Sequence, residues 1–332
     1  MLSGVSIIIC GYNSSSRITP TLEALQKQQF TKQPVSWEVI LVDNASTDNT
    51  KQVAEEVWKR NPVTQLRVIK EEMPGLMNAR KRGMENAVFD IVSFIDDDNW
   101  VETGWVQKVF GIFAADEKTG ACGGRSEPVF ENKKPEWFDE YQSSFAVGSQ
   151  ADQTGIINDT KGFLWGAGLS FRRSLWNELH DRGFKNITLG REGKKITAGE
   201  DTELCYAIRL LGYNIFYSNE LLLKHFMPVN RMNINYLEKM CEGFGKAFAR
   251  LNCYKVLLDT KTFKLYPWWY EWAVAVKNYL LAKLQLGLEK DPWLHNKLRL
   301  KNAYSKGYAE QLWIDKGSIK EIIKDLKEVF KK

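Results

Sequence analysis

Residues 91–100 read IVSFIDDDNW, an apolar run that ends in three consecutive carboxylates. Residues 91–95 are rich in β-branched and aromatic side chains, so we predict a buried strand there. Three adjacent carboxylates repel one another unless a cation neutralises them, and Mg²⁺ or Mn²⁺ prefers one or two carboxylates together with water and phosphate oxygens. The alternative is a solvated acidic turn in which Asp98 or Asn99 caps a helix. The triplet alone leaves both interpretations open.

Three further segments have the pattern of short apolar strands, and helical patterns at residues 20–29, 49–60 and 76–86 separate the strands. The segments are VSIIIC (5–10), WEVILVD (37–43) and LRVIK (66–70). Short strands that alternate with helices are typical of βαβ units and a mostly parallel sheet, in which ligands bind at the carboxyl ends of the strands. We therefore expect Tyr12, Asp43 and Asp98 to converge on one edge of the sheet.

The composition is that of a soluble globular protein. With 44% hydrophobic and 26% charged residues, the 332-residue chain is neither disordered nor fibrous. Five scattered cysteines without a Cys-x-x-Cys pair argue against a disulfide framework or a zinc knuckle and favour reduced thiols in a cytoplasm. The N-terminus lacks the basic and long apolar regions of a signal peptide, and we expect no membrane span.

Charge divides the chain near residue 232. Residues 235–332 carry 19 Lys and Arg against 11 Asp and Glu, which is +8, whereas the preceding residues carry −3 of the total +5. This basic tail also holds five of the twelve tryptophans and has helical patterns throughout. We predict a helical C-terminal region over residues 233–332.

Five motifs, in this order and spacing, resemble the motifs of family 2 glycosyltransferases with the GT-A fold. They are VSIIICGYN (5–13), VILVDNASTDNT (39–50), GLMNARKRGMENA (75–87), VSFIDDDNW (92–100) and GEDTELCYAIRLLGY (199–213). The resemblance covers roughly residues 5–226, and Lys81 departs from it because the family commonly has Asn after Ala-Arg. It implies a Rossmann-like, mostly parallel nucleotide-binding sheet flanked by helices. The catalytic domain would span residues 1–232, with a nucleotide-sugar-binding half at 1–100 and an acceptor-binding half at 101–232.

The resemblance assigns donor-binding roles to five residues, namely Tyr12, Asp43, Arg80, Asp96 and Asp97. Asp43 would contact the nucleoside, although a strand-end carboxylate is also an ordinary cap or turn residue. Arg80 could pair with an acidic residue or with a phosphate oxygen. Asp96 would lie near the ribose or a metal-bound water, and the role of Asp97 is the least defined of the three.

The resemblance also implies a metal and a general base. Asp98 and His225 would hold Mg²⁺ or Mn²⁺, although a lone His at a strand end often only makes local hydrogen bonds. Asp201 would take the proton from an acceptor hydroxyl, which gives inversion, and Glu200 would position the acceptor or the base. Favourable placement of carboxylates at a helix N-terminus is a sufficient structural account of at least one of the two. Residues 162–173 read as a small-residue strand in which Trp165 either stacks on an acceptor sugar or packs in the core.

The expected function is transfer of a sugar from a nucleotide diphosphate donor to a hydroxyl of a glycan or lipid-linked glycan, in the synthesis of a cell-surface polysaccharide. A sugar nucleotidyltransferase and a non-catalytic nucleotide- or carbohydrate-binding module are the alternatives. No Gly-x-Gly-x-x-G or Walker loop is present, and we expect no nucleic-acid partner. The aromatic run 266–272 either contacts the anionic inner face of a membrane or roofs the acceptor site.

Overall fold

The computed structural model describes residues 2–31, 33–188, 198–259, 263–264 and 266–331. The first part of the chain alternates strands and helices. Its elements are β1 (Val5–Gly11), α1 (Ile18–Gln26), β2 (Trp37–Asn44), α2 (Thr50–Arg60), β3 (Gln65–Glu71), α3 (Leu76–Asn86) and β4 (Ile91–Phe94). The four strands pair in parallel in the order β3-β2-β1-β4, which confirms the parallel sheet predicted from the sequence.

Helices cover both faces of this parallel sheet. Ile7 of β1 packs in one cluster with Leu22 of α1 and Val57 of α2. The next residue, Ile8, points to the opposite face and packs with Ala79 of α3. Because both faces are buried, the strands read as continuous apolar runs rather than as alternating ones. This arrangement leaves the carboxyl ends of the strands as the open edge of the sheet.

The second part of the chain extends the sheet with strands of both directions. Its elements are β5 (Asn99–Val101), α4 (Trp105–Ala115), β6 (Thr119–Phe130), α5 (Phe138–Tyr141), a 3-10 helix (Gln142–Phe145), β7 (Gly155–Ile156), β8 (Ser170–Arg172), α6 (Arg173–Asp181), α7 (Glu200–Leu210), β9 (Asn214–Met227) and a 3-10 helix (Val229–Arg231). The order continues as β8-β6-β9-β5, with β7 beside β9. Strand β8 is antiparallel to β4 and β6, whereas β6 and β9 are parallel. The described residues thus form one mixed nine-stranded sheet.

The prediction of a strand across residues 162–173 is wrong for most of that segment. Only Ser170–Arg172 pairs as a strand, and residues 162–169 form a loop. Gly162 and Gly168 have φ angles of +68° and +76°, a left-handed conformation that regular strands do not contain. The loop packs on α7, where the Leu164 amide donates a hydrogen bond to Cys205 Sγ at 3.4 Å.

The C-terminal region is helical, as predicted from its sequence. It contains α8 (Ile234–Leu258), α9 (Trp268–Leu286), α10 (Pro292–Ile314) and α11 (Ile319–Val329). Helix α8 begins with a side-chain cap, in which Asn233 accepts a hydrogen bond from the Tyr236 amide. The division of the chain at residue 232 stays a prediction, although α8 starts close to it. None of the described helices combines the length and the hydrophobicity that a membrane crossing needs.

Candidate functional site

The carboxyl ends of the parallel strands open into a cavity of about 710 Å³. The first turn of α7, the loop before β8 and one face of α8 complete its lining. The cavity lining includes Tyr12, Arg80, Asp96, Asp97, Asp98, Trp165, Glu200, Asp201 and His225. Asp43 ends β2 next to Gly11 of β1 but lies outside this lining. The structure therefore gathers most of the residues singled out in the sequence at one place.

The carboxylates of the triplet have different surroundings. Asp97 is buried, pairs with Arg17 Nη2 at 2.7 Å and accepts a hydrogen bond from Ser14 Oγ. These contacts tie Asp97 to the start of α1. Burial, together with the charge of Asp98, raises the pKa of Asp96 to about 7. Like charges held close together in a buried site are costly, and a divalent cation beside Asp96 and Asp98 would offset part of that cost.

Asp98 and His225 lie side by side across two strands. Strand β5 pairs with β9 so that Asn99 stands opposite His225, which puts His225 Nε2 3.5 Å from Asp98 Oδ1. Neighbouring ligands of an octahedral Mg²⁺ or Mn²⁺ are roughly 3 Å apart, so this spacing fits one divalent cation. Within the described ranges, no three His, Cys, Asp or Glu side chains gather around a possible metal position. A cation here would take its remaining ligands from water and phosphate oxygens.

Asp201 is held by a buried arginine. Arg80 is 5% exposed, its Nη1 lies 2.6 Å from Asp201 Oδ1, and its guanidinium lies 4.8 Å from the centre of the Phe94 ring. The contact is ionic rather than a well-aligned hydrogen bond. Burial alone would lower the pKa of Arg80, but the carboxylates of Asp201 and Glu200 raise it above its usual value. Arg80 is therefore a fixed cation beside one oxygen of Asp201.

The carboxylate of Asp201 also packs against the loop before β8. A Cβ atom on Gly166 would lie 2.3 Å from Asp201 Oδ2 and 2.6 Å from Oδ1, so only glycine allows this close approach. Its neighbour Trp165 is half-buried and lines the cavity, and its amide donates a 2.7 Å hydrogen bond to Gln150 Oε1. Trp165 is thus a loop residue at the cavity and not part of a core strand.

Asp43 has an unsatisfied carboxylate oxygen at the edge of the sheet. Its Oδ1 is buried and accepts no hydrogen bond from any part of the chain that the structure describes. A buried acceptor without a donor is costly, so this oxygen suits a donor group supplied by a ligand. Tyr12, at the end of the neighbouring strand, is 53% exposed and lines the cavity.

Sequence reasoning missed three cations of the cavity, namely Arg17, Lys161 and Arg231. Arg231 Nη1 lies 3.1 Å from Asp98 Oδ2, and its place in the sequence shortly after His225 is the one available signal. Arg17 directly precedes α1. A basic residue shortly after a strand-end motif is only a weak indication of a binding-site residue. Nothing in the sequence around Lys161 indicates its position.

The C-terminal region contributes an apolar wall to the cavity through α8. The wall is lined by Tyr236, Met240, Phe244 and Phe248, which are spaced four residues apart and therefore share one face of the helix. The roof predicted from residues 266–272 is not formed by the aromatic residues of that run. Trp268 and Trp272 instead pack on Trp313, with ring centroids 6.1 and 5.3 Å apart.

Comparison with known proteins gives a family match. The family described as "Glycosyl transferase family 2" matches residues 6–179, slightly more than half of the chain. This range contains the acidic triplet and Arg80 but ends before Asp201 and His225. Among curated proteins, the glucosyl-dolichyl phosphate glucuronosyltransferase of Haloferax volcanii is 23% identical over 247 residues, which are 73% of this chain and 76% of the relative.

Two solved structures show the fold. The mannosyltransferase PcManGT from Pyrobaculum calidifontis, in complex with GDP-Man and Mn²⁺, has a TM-score of 0.58 at 18% identity and covers 94% of this chain and 88% of its own. Residues 1–349 of TarS from S. aureus, in complex with UDP-GlcNAc, have a TM-score of 0.50 at 17% identity, with coverages of 94% and 92%. At these identities the similarity establishes the architecture, which is that of GT-A glycosyltransferases.

Proposed function

The chain belongs to glycosyl transferase family 2, and we propose that it transfers a sugar from a nucleoside diphosphate to a hydroxyl of a glycan or lipid-linked glycan, with inversion. One observation carries this proposal. A carboxylate at a helix N-terminus, Asp201, shares a single cavity with the buried acidic triplet. The cavity thus combines a candidate base with a candidate cation site, as single displacement at a sugar carbon requires.

The donor nucleoside occupies the edge formed by β1 and β2. The buried Oδ1 of Asp43 is free to accept a hydrogen bond from a base N–H or a ribose hydroxyl. The exposed ring of Tyr12 offers an aromatic face on which a base can stack. Asp96 lies closer to the sugar end of the donor, since its carboxyl group is near both Arg80 and Asp201.

The diphosphate of the donor lies beside Asp98, where a bound cation and two arginines can supply positive charge. Asp98 and His225 would hold Mg²⁺ or Mn²⁺, and the cation would offset the negative charge of the diphosphate. Arg17 and Arg231 line the same part of the cavity and pair with Asp97 and Asp98. Their guanidinium groups are suited to phosphate oxygens because each presents several N–H donors in one plane.

Asp201 acts as the general base through its Oδ2 atom. Oδ1 is held by Arg80, so Oδ2 is the oxygen that takes the proton from the acceptor hydroxyl. The acceptor oxygen attacks the anomeric carbon as the nucleoside diphosphate leaves from the opposite side, which inverts that carbon. Glu200 and Trp165 line the same cavity and position the acceptor.

We place the enzyme in the cytoplasm, on the inner face of an anionic membrane. The surface for this contact is α9, whose large apolar side chains include Trp269 (58% exposed), Leu284 (68%) and, just beyond the helix, Leu288 (82%). The tail that carries α9 has a formal charge of +8, which is attracted to anionic lipids. The relative from Haloferax volcanii is named as a transferase of glucosyl-dolichyl phosphate, which is a lipid-linked sugar. This similarity supports a lipid-linked acceptor for the chain.

Product analysis with Mn²⁺ and a panel of nucleotide sugars tests the proposal. We expect a free nucleoside diphosphate and a product with inverted anomeric configuration. In Asp201→Asn, transfer should fall by roughly a hundredfold or more, because the nearly isosteric amide cannot accept the proton, while donor affinity stays within a few fold. Release of pyrophosphate would assign nucleotidyl transfer instead. Full transfer by the variant would move the base elsewhere, with Glu200 as the next candidate.

A further inference from the structure

Lys161 is a cation of the cavity without an anionic partner among the described residues. It lines the cavity on the loop before β8, and its ammonium group forms no ion pair with any residue that the structure describes. Its Nζ donates a 3.2 Å hydrogen bond to Gln150 Oε1 and makes cation–π contacts with Phe163 and Trp165, at 4.8 and 4.1 Å from the ring centres. Burial lowers the pKa of Lys161 to about 8.

The position of Lys161 is fixed by the protein around it. Gln150 is buried and donates its amide group to the Gly124 carbonyl oxygen at 2.9 Å, while its Oε1 accepts from the Trp165 amide as well as from Lys161. The two aromatic rings flank the ammonium group. A lysine that only needed solvent would not require an oriented amide and two rings, so this arrangement holds the charge at a defined point.

That point lies on the same loop that contacts the proposed base. Gly166, five residues along the same loop, lies against Asp201, and Leu164 between them bonds to Cys205 of the same helix. A second cation close to the loop is Arg209, whose Nη1 would lie 2.3 Å from a Cβ atom on Gly162. Cys205 acts on both cations, and Tyr206 and Asp159 act on Arg209. Neither Lys161 nor Arg209 has a carboxylate within ion-pair distance among the described residues.

We propose that Lys161 binds an anionic group, a carboxylate or a phosphate, carried by one of the two sugars that meet at Asp201. The proposal rests on the proposed function and narrows its substrates to acidic or phosphorylated ones. A desolvated ammonium without a counter-ion costs free energy in the empty protein. An anion on the substrate would convert that cost into a charge-assisted hydrogen bond, which makes the site selective against neutral sugars.

Saturation-transfer NMR with matched probes at pH 7 tests the proposal without requiring turnover. The acceptor arm compares methyl β-glucuronide and methyl β-glucoside 6-phosphate with neutral methyl β-glucoside. The donor arm compares UDP-glucuronate with UDP-glucose and GDP-mannuronate with GDP-mannose. In at least one arm, we expect the anionic probe to bind roughly tenfold or more tightly than its neutral counterpart.

Variants and pH then assign the preference to Lys161. Lys161→Met keeps the apolar stem and should reduce the affinity ratio to about one, whereas Lys161→Arg should retain it. Lys118→Met removes a lysine that stacks on Tyr213 outside the cavity and should change nothing. Raising the pH from 7 to about 9.5 should erase the preference in the wild type, since the ammonium loses its proton, but not in Lys161→Arg.

Two results would overturn the proposal. One is a wild-type ratio near one in both arms, including a lack of binding by every anionic probe. The other is a preference that survives in Lys161→Met. Either result leaves the release of nucleoside diphosphate untouched, so a failure here is distinguishable from a failure of the proposed glycosyl transfer.

Discussion

At the residue scale, three acidic groups of the cavity are each paired with a different arginine. Asp97 pairs with Arg17 and Asp98 with Arg231, whereas Asp201 pairs with Arg80. Each guanidinium group compensates the negative charge of its carboxylate and fixes its position in the cavity. Because the three arginines differ in burial, their removal should have different consequences.

Arg80→Gln should act on turnover rather than on donor binding. The guanidinium group touches Asp201, and misplacing a catalytic group by about 1 Å can cost roughly a hundredfold in rate. We therefore expect kcat to fall by about that factor, with donor affinity within a few fold of the wild type. Arg82→Gln, on an exposed position of the same helix, is the control and should be silent. A loss of donor affinity in parallel with kcat would place Arg80 on a phosphate oxygen instead.

Asp98→Asn should uncouple donor binding from the metal. In the wild type, we expect Mn²⁺ to strengthen binding of the preferred nucleoside diphosphate and EDTA to weaken it, as measured by calorimetry. The variant should show equal affinity with Mn²⁺ and with EDTA, because an amide is a poor substitute for an anionic ligand of a hard cation. Asp97→Asn is the comparison: it should lower stability through its lost Arg17 pair while keeping the metal dependence. Mn²⁺-independent affinity in the wild type would contradict the metal role.

The sequence predicts those site residues that can be recognised from the residues next to them in the chain. The triplet and Asp43 follow apolar strands directly, and Asp201 opens a helix after a loop, so local patterns were sufficient. The partner of Arg80 is a residue more than a hundred positions away, and only the folded sheet brings the two together. Lys161 has no local signal either, because its surroundings come from Gln150 and from a loop whose shape depends on α7.

At the scale of elements, the same distinction separates strands from loops. The strands β1 to β4 were predicted because a parallel sheet with two covered faces requires unbroken apolar runs. The loop 162–169 was mistaken for a strand because it is apolar for another reason, namely that it packs on α7. Its glycines signalled turns, since Gly162 and Gly168 both adopt positive φ. The site depends on this loop as much as on the strands, because the loop carries Trp165 and Gly166 and begins directly after Lys161.

The contact between α8 and α10 depends on small residues at the crossing. A Cβ atom on Gly307 of α10 would lie 2.1 Å from the Glu242 carbonyl oxygen of α8. Gly307→Ala should therefore destabilise the protein by about 1–3 kcal/mol through overpacking, which outweighs the gain of up to about 1 kcal/mol in helix propensity. Chemical denaturation measures the change.

The matched control for this prediction is another helical glycine. A Cβ atom on Gly111 of α4 would have no neighbour within 4 Å, so Gly111→Ala should stabilise the protein by about 0.5–1 kcal/mol. If both substitutions changed the free energy of unfolding equally, the prediction would be wrong, because α8 and α10 would then move apart at Gly307 at little cost. Since α8 also forms the apolar wall of the cavity, a weakened contact in Gly307→Ala should loosen the acceptor side of the site as well.

At the scale of the whole molecule, the cavity and the exposed surface of α9 belong to one helical region. Helix α8 lines the cavity, α10 packs on α8, and α9 packs on α10. The outward face of α9 combines Trp269, Leu280 and Leu284 with Lys277. At 100° per residue these side chains lie within one arc of the helix. An exposed aromatic and apolar face with a basic residue at its border is suited to lying in the plane of an anionic membrane.

Vesicle co-sedimentation tests this contact. We expect the full-length protein to pellet with anionic vesicles but not with zwitterionic ones at low salt, and to be released as salt screens the attraction. Leu280→Glu combined with Leu284→Glu removes apolar area from this face and adds negative charge, so it should weaken pelleting roughly tenfold or more. Lys324→Glu, on the exposed side of α11, is the control and should have a smaller effect. If the wild type stays in the supernatant with both kinds of vesicle, the membrane contact is wrong. A dimer that dissociates in the double variant would then identify a second copy of the chain as the partner of α9.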